Sequence, residues 1–182
     1  MTTTINARRL LISAIGLLSA ATIASPLLFQ VESSLAGANS SMAQEILNAH
    51  NHYRSEVGIP NLTWSDTLES QAREWANNLS SKGLFQHSEV EGQGENLWKG
   101  TSRSFSFTQM VESWGNEKQY FVRGTFPDVS NTGNWSDVGH YTQIVWRNTT
   151  EVGCAGVDGS DGNYILVCRY VSPGNVISQS VF

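Results

Sequence analysis

The sequence predicts an α+β fold in which helices cover an antiparallel sheet. Two observations predict it. Apolar residues recur at three- and four-residue steps through three segments in the earlier part of the chain, which is helical spacing. Near the carboxyl end, β-branched and aromatic runs bracket an Asp- and Gly-rich turn, the composition of a hairpin. Helices first and strands later is the order of an arrangement that segregates the two.

At the amino end, Leu10 to Phe29 carry no charged side chain and follow Arg8 and Arg9. A basic stretch, then an apolar one, then small residues is the pattern of a secretory signal. Ala36-Gly37-Ala38 offers a cleavage site and Ser34-Leu35-Ala36 a second. Residues 1–38 are therefore expected to be a removed leader. An uncleaved anchor is the alternative, since about 20 uncharged residues reach across a bilayer. The paired arginines also fit, less well, a twin-arginine export signal. Each reading places residues 39–182, expected to form one domain, outside the cytoplasm in an extracellular or periplasmic space.

Met42, Ile46, Ala49, Tyr53 and Val57 make the apolar stripe of a first helix, stopped by Gly58 and Pro60. Asp66 followed by Glu69 resembles a capping box. It opens a second helix with Leu68, Ala72, Trp75, Ala76 and Leu79 on its apolar face and Gly83 at its end. Phe107, Met110, Val111 and Trp114 predict a shorter third helix, with Gly115 a weak point in its polar continuation. Tyr141 to Trp146 and Tyr164 to Tyr170 read as strands, with the 158–163 turn between them. That turn lacks the ligand spacing of a calcium loop. Cys154 and Cys168 flank it. Adjacent strands bring such a pair within bridging range, and export favours the disulfide over two free thiols. The closed loop stabilises by about 3 kcal/mol in the chain-entropy view.

Composition bounds the function. The 182-residue chain carries a net charge of −5; losing residues 1–38 removes Arg8, Arg9 and Glu32, so the remaining 144 residues carry −6. An acidic domain without a basic run excludes non-specific nucleic-acid binding. Two cysteines exclude a disulfide-scaffolded miniprotein. Six Trp and five Tyr argue for a packed core, and Trp64, Trp75, Trp98, Trp114 and Trp146 are expected in the core or in cleft walls. No HExxH, Gly-x-Ser-x-Gly, phosphate loop or CxxC occurs. Asn61, Asn78, Asn134 and Asn148 each begin an N-x-[ST] sequon, whose use depends on the host.

Of four histidines, His50 and His52 point to different faces of the first helix, so a shared metal there is not expected; His50 fits a structural hydrogen bond. His87 precedes Gly94-Glu95-Asn96-Leu97-Trp98, and His140 opens a run ending at Trp146. By residue type alone these are two separated histidines near acidic residues.

The run Gly139–Ala155, GHYTQIVWRNTTEVGCA, resembles the most characteristic motif of the CAP superfamily, which comprises cysteine-rich secretory proteins, antigen 5 and plant pathogenesis-related 1 proteins. Leu47-Asn48-Ala49-His50-Asn51 with Arg54, then Leu62-Thr63-Trp64, His87-Ser88, Gly94–Leu97, Trp114 with Glu117, and Cys168-Arg169-Tyr170 with Gly174-Asn175 match in family order. Ser172 and Pro173 stand one place off the usual closing pattern. The resemblance implies a three-layer α-β-α sandwich with a central antiparallel sheet. It also implies a cleft holding His87, Glu95, Glu117 and His140, with Glu117 chosen over Glu112 by its spacing from Trp114. In several relatives the two histidines bind a divalent ion, often zinc. His87 and His140 are thus the expected metal ligands and Glu95 and Glu117 their acidic partners, with no organic cofactor. A single bridge, where eukaryotic relatives usually have several, suits a bacterial member.

These readings favour a secreted, non-enzymatic module that binds an extracellular lipid, glycan or protein and meets a membrane only through an uncleaved leader. The alternatives are a hydrolase using a metal-bound water or a serine such as Ser88, and a purely structural or adhesive domain.

Overall fold

The computed structural model describes residues 26–182, with side chains from Ser41 onward. The leader read at 1–38 lies outside the residues whose side chains are described. Contacts divide the chain after Leu35, and all the described side chains belong to the unit Ala36–Phe182. Among the described residues no helix is long and apolar enough to cross a membrane.

Helix α1 (Pro26–Glu56) buries Met42, Ile46, Ala49 and Tyr53, the stripe its spacing predicts. Beyond it Gly58 takes φ +68, and the two-residue strand β1 (Thr63–Trp64) follows. Helix α2 (Asp66–Lys82) is capped one residue earlier than expected. The Ser65 side chain accepts from Leu68 N–H, while Asp66 and Glu69 sit in the first turn, where the helix dipole favours carboxylates. It ends at Gly83, whose φ of +64 suits glycine in a left-handed cap. Strand β2 (Gly94–Thr101), read from sequence only as a glycine-broken segment, leads to helix α3 (Phe107–Gly115), which has a full Ser106/Gln109 capping box. After Gly115 the helix tightens into a 3-10 turn, Asn116–Tyr120. Helix α4 (Gly139–Ile144) and strands β3 (Glu151–Asp158) and β4 (Asn163–Val171) complete the fold.

The segment Tyr141 to Trp146 is therefore not a strand. Its residues are buried on every side, so no polar face marks a helical period, and a short apolar run of this kind looks like a buried strand. Two long-range contacts hold it helical instead. Val138 at its start supplies no side-chain cap, and Glu117 accepts the N–H groups of His140 and Tyr141 in its place. At the other end Arg54 donates to the carbonyls of Ile144 and Trp146.

The sheet order is β1-β3-β4-β2, with β3–β4 and β4–β2 antiparallel. The three long strands form the expected antiparallel sheet, and the short β1 makes it mixed by running parallel to β3 over two residue pairs. The chain passes through α2, β2, α3 and α4 between β1 and β3, so no tight turn constrains this pair to be antiparallel. Side chains alternate across β4. Ile165 and Val167 pack with Ala72, Ala76 and Leu79 of α2, whereas Leu166, Cys168 and Tyr170 join the larger core shared with α1, α3 and α4. That is a three-layer α-β-α sandwich. Gly153 of β3 lets α2 approach closely, since a Cβ there would run into backbone atoms of Ser65 and Glu69. Cys154 and Cys168 face each other across β3 and β4 and form the expected disulfide.

Candidate functional site

One end of the sandwich opens into a cleft of about 380 Å³. His87 enters from the α2–β2 connection, Glu95 from β2, His140 from the first turn of α4, and Pro173 to Asn175 from the segment after β4. Trp135 and Ser136 close one rim.

Each histidine is bound to one carboxylate through the same ring nitrogen. Nδ1–H of His87 donates to Glu95 Oε1 at 2.8 Å, and Nδ1–H of His140 donates to Glu117 Oε1 at 2.6 Å. Neither Nε2 has a hydrogen-bond partner among the described residues. Both rings line the cleft. His140 is further held by stacking on Trp114, with centroids 6.0 Å apart and an 18° interplanar angle. Glu117 stands behind His140, and Glu112 points elsewhere, into a hollow beside Tyr53. Among the described residues, no three His, Cys, Asp or Glu side chains gather into a ready-made cation cage.

Glu95 is the most tightly tied member. Its side chain is 7% exposed, and burial alone would raise its pKa. Hydrogen bonds from His87, the Ser88 side chain and Ser88 N–H, together with the charge of Arg169, outweigh burial and hold it below the ordinary carboxylate range. The Ser88 hydroxyl donates to Glu95 Oε2 at 2.7 Å, so it is engaged with a carboxylate and not with an imidazole.

Several contributors carry no role in the sequence reading. Asn96 Nδ2 donates to His140 O, Asn175 accepts from Thr142 Oγ1 and donates to Gly139 O, and Gln143 accepts Gly174 N–H. Together they tie the His140 turn to β2 and to the closing segment. Arg169 pairs with Glu95 across β4 and β2, Nη2 to Oε2 at 3.5 Å. Recognising β2 as a strand would have exposed that pair. Trp135, the one tryptophan left unplaced, stays 45% exposed on the rim.

The profile of the cysteine-rich secretory protein family, CAP, matches residues 47–170. The chain belongs to the CAP family. Among its CAP relatives, pathogenesis-related protein 1C of Nicotiana tabacum is 41% identical over 140 residues, spanning 76% of this chain and 80% of the relative. Pathogenesis-related protein 1 of Arabidopsis thaliana is 38% identical over 139 residues, 76% of this chain and 81% of the relative. The crystal structure of NaASP2 with Zn2+ superposes with a TM-score of 0.65 at 24% identity, covering 78% of this chain and 85% of that one. That last likeness carries the CAP fold alone.

Proposed function

We propose that this chain is an exported, non-enzymatic binding module of the CAP family whose His87/His140 cleft holds a divalent cation, zinc first among them. The observation that carries the reading is the shared pairing of the two rings. With Nδ1–H given to Glu95 or Glu117, each imidazole keeps Nε2 for the cleft. A carboxylate behind a histidine fixes its tautomer and orientation and raises its basicity as a ligand. Neutral imidazole nitrogens suit zinc, and two of them leave further coordination positions to water or to a ligand. The residues present therefore fit such a cation, with Glu95 and Glu117 supporting the ligands rather than joining them. When bound, the cation supplies a positive centre that attracts a polar or anionic ligand group.

Export follows from the leader read at 1–38, and the disulfide suits an oxidising compartment. The acidic surface disfavours nucleic acid, leaving an extracellular lipid, glycan or protein as the partner class. The carboxylate that accepts the Ser88 hydroxyl, Glu95, is held below the ordinary carboxylate range and is therefore too weak a base to activate a serine, which supports binding over serine hydrolysis.

Calorimetric titration of metal-free protein with zinc chloride tests this. One zinc per chain is expected, with His87→Ala and His140→Ala each weakening it by about tenfold or more. No binding by the natural sequence, or equal binding by the double variant, would overturn the reading.

A further inference from the structure

Beside the histidine cleft lies a second hollow of about 350 Å³, within the size range of small-ligand sites. One wall is a face of α2, where Gln71, Glu74, Trp75 and Asn78 recur at helical spacing. The opposite wall is the α2–β2 connection, with Glu89, Val90 and Gln93, and Arg169 of β4 lines it from the sheet. None of the four α2 residues is needed to support the histidines.

Two features mark this hollow as a built site. Arg169 is 3% exposed, yet its guanidinium is not fully satisfied. Nη1 donates to Gln93 Oε1 at 3.2 Å and Nη2 pairs with Glu95, while Nε is buried without a partner among the described residues. Nη1 and Nη2 each carry a second N–H beyond these two contacts, which a group bound in the hollow can use. Trp75 is the second feature. Its indole N–H donates to Gln86 O at 3.2 Å, which anchors the ring as a partly exposed wall.

We infer that this hollow binds a neutral oligosaccharide. Sugar hydroxyls both donate and accept, and the lining offers both. The Asn78 amide does each, Gln71 donates through Nε2 while its Oε1 holds Gln93 Nε2, Glu74 and Glu89 accept, and Arg169 donates. The carbon-bearing face of a pyranose ring packs on an aromatic side chain such as Trp75. Glu74 and Glu89 repel an anionic ligand, because the one guanidinium is already paired with Glu95. A lipid tail would need a continuous apolar lining, and Val90 and Trp75 stand among polar groups. Ser88 and Gln93 line this hollow and the histidine cleft alike, so the two are neighbouring stretches of one groove that suits a chain of sugar units. The inference stands on residues other than the cation ligands.

The test is calorimetry on the full domain with cellohexaose, chitohexaose, xylohexaose and mannohexaose. The protein is made in a non-glycosylating host, since Asn78 lines the hollow and begins a sequon. At least one hexasaccharide should bind, equally with and without chelator. Trp75→Ala should weaken it by about tenfold, and the exposed pair Gln71→Ala/Glu74→Ala, which leaves the core intact, by severalfold. Absence of binding by all four at about 5 mM would overturn the inference even if zinc still binds. So would binding that survives both variants, or a preference for acidic sugars or peptides over neutral sugars.

Discussion

Glu117 holds His140 by both carboxylate oxygens: Oε1 lies 2.6 Å from ring Nδ1, and Oε2 accepts the backbone N–H at 2.9 Å. Oε2 also accepts Tyr141 N–H at 3.0 Å. One side chain thus caps α4 and aims the ring. Glu117→Ala should lower unfolding free energy in urea by about 2 kcal/mol, as three donors lose a charged acceptor. It should also weaken zinc by about tenfold or more. Glu112→Ala, at an exposed position without contact to His140, should change neither.

His50 makes stability depend on pH. It is fully buried, its Nδ1–H donates to Ile46 O, and its Nε2 accepts from the Tyr170 hydroxyl at 2.8 Å, so the fold requires the neutral ring. Burial pushes its pKa down from 6.5 to about 4. Between those values the unfolded chain takes a proton that the folded chain refuses. Stability therefore falls as pH falls through this window, by about 3 kcal/mol in all. Glu95, held below the usual carboxylate range, adds a further loss at the acid end, as pH drops below the unfolded carboxylate pKa. Urea melts from pH 7 to pH 4.5 should show the slope, and His50→Gln should flatten it.

Arg54 is fully buried and pairs with no carboxylate among the described residues. Its guanidinium donates to four carbonyls, those of Pro60, Ile144, Trp146 and Thr149, at 2.7 to 2.9 Å. This grip joins α1 to the end of α4. Arg54→Ala should cost at least about 3 kcal/mol, because the carbonyls stay buried and unpaired. Arg54→Lys should recover less than half of that, since a compact ammonium cannot span a planar fork. Thermal melts of both variants check the order.

Opening the Cys154–Cys168 bridge should leave a folded but weaker domain. The bridge closes a 14-residue separation, so Cys154→Ala/Cys168→Ala should lower stability by about 3 kcal/mol. Zinc affinity should stay unchanged, because neither cysteine lines the histidine cleft. The natural sequence in excess reductant should melt with the double variant.

The long amphipathic helices were legible because one face of each meets solvent, which writes the 3.6-residue period into the sequence. Leu68, Ala72, Ala76 and Leu79 show it plainly in α2. The 158–163 turn and β4 were legible from turn chemistry and β-branched composition, whereas the strand before the turn was read at Tyr141 to Trp146 and lies instead at Glu151–Asp158. In contrast, α4 is buried throughout Tyr141 to Ile144 and β2 is broken by glycines, so neither carries a readable period. The positions of His87, Glu95, Glu117 and His140 came from motif resemblance, and nothing local to them states that His87 meets Glu95 or that His140 meets Glu117.

By itself the sequence determined the α+β class, the family, the buried faces of the three longer helices, the disulfide pair and an acidic domain read as exported. Only the tertiary structure decided that Tyr141 to Ile144 is helical, that β1 runs parallel, that Arg169 lies against Glu95, and that Trp135 and Trp75 face open grooves. The reason is one of range. Period, caps and turns act within a few residues, whereas Glu117 reaching His140 and Arg54 reaching Ile144 act across 23 and 90 positions. Contacts of that span form only when the whole sandwich closes.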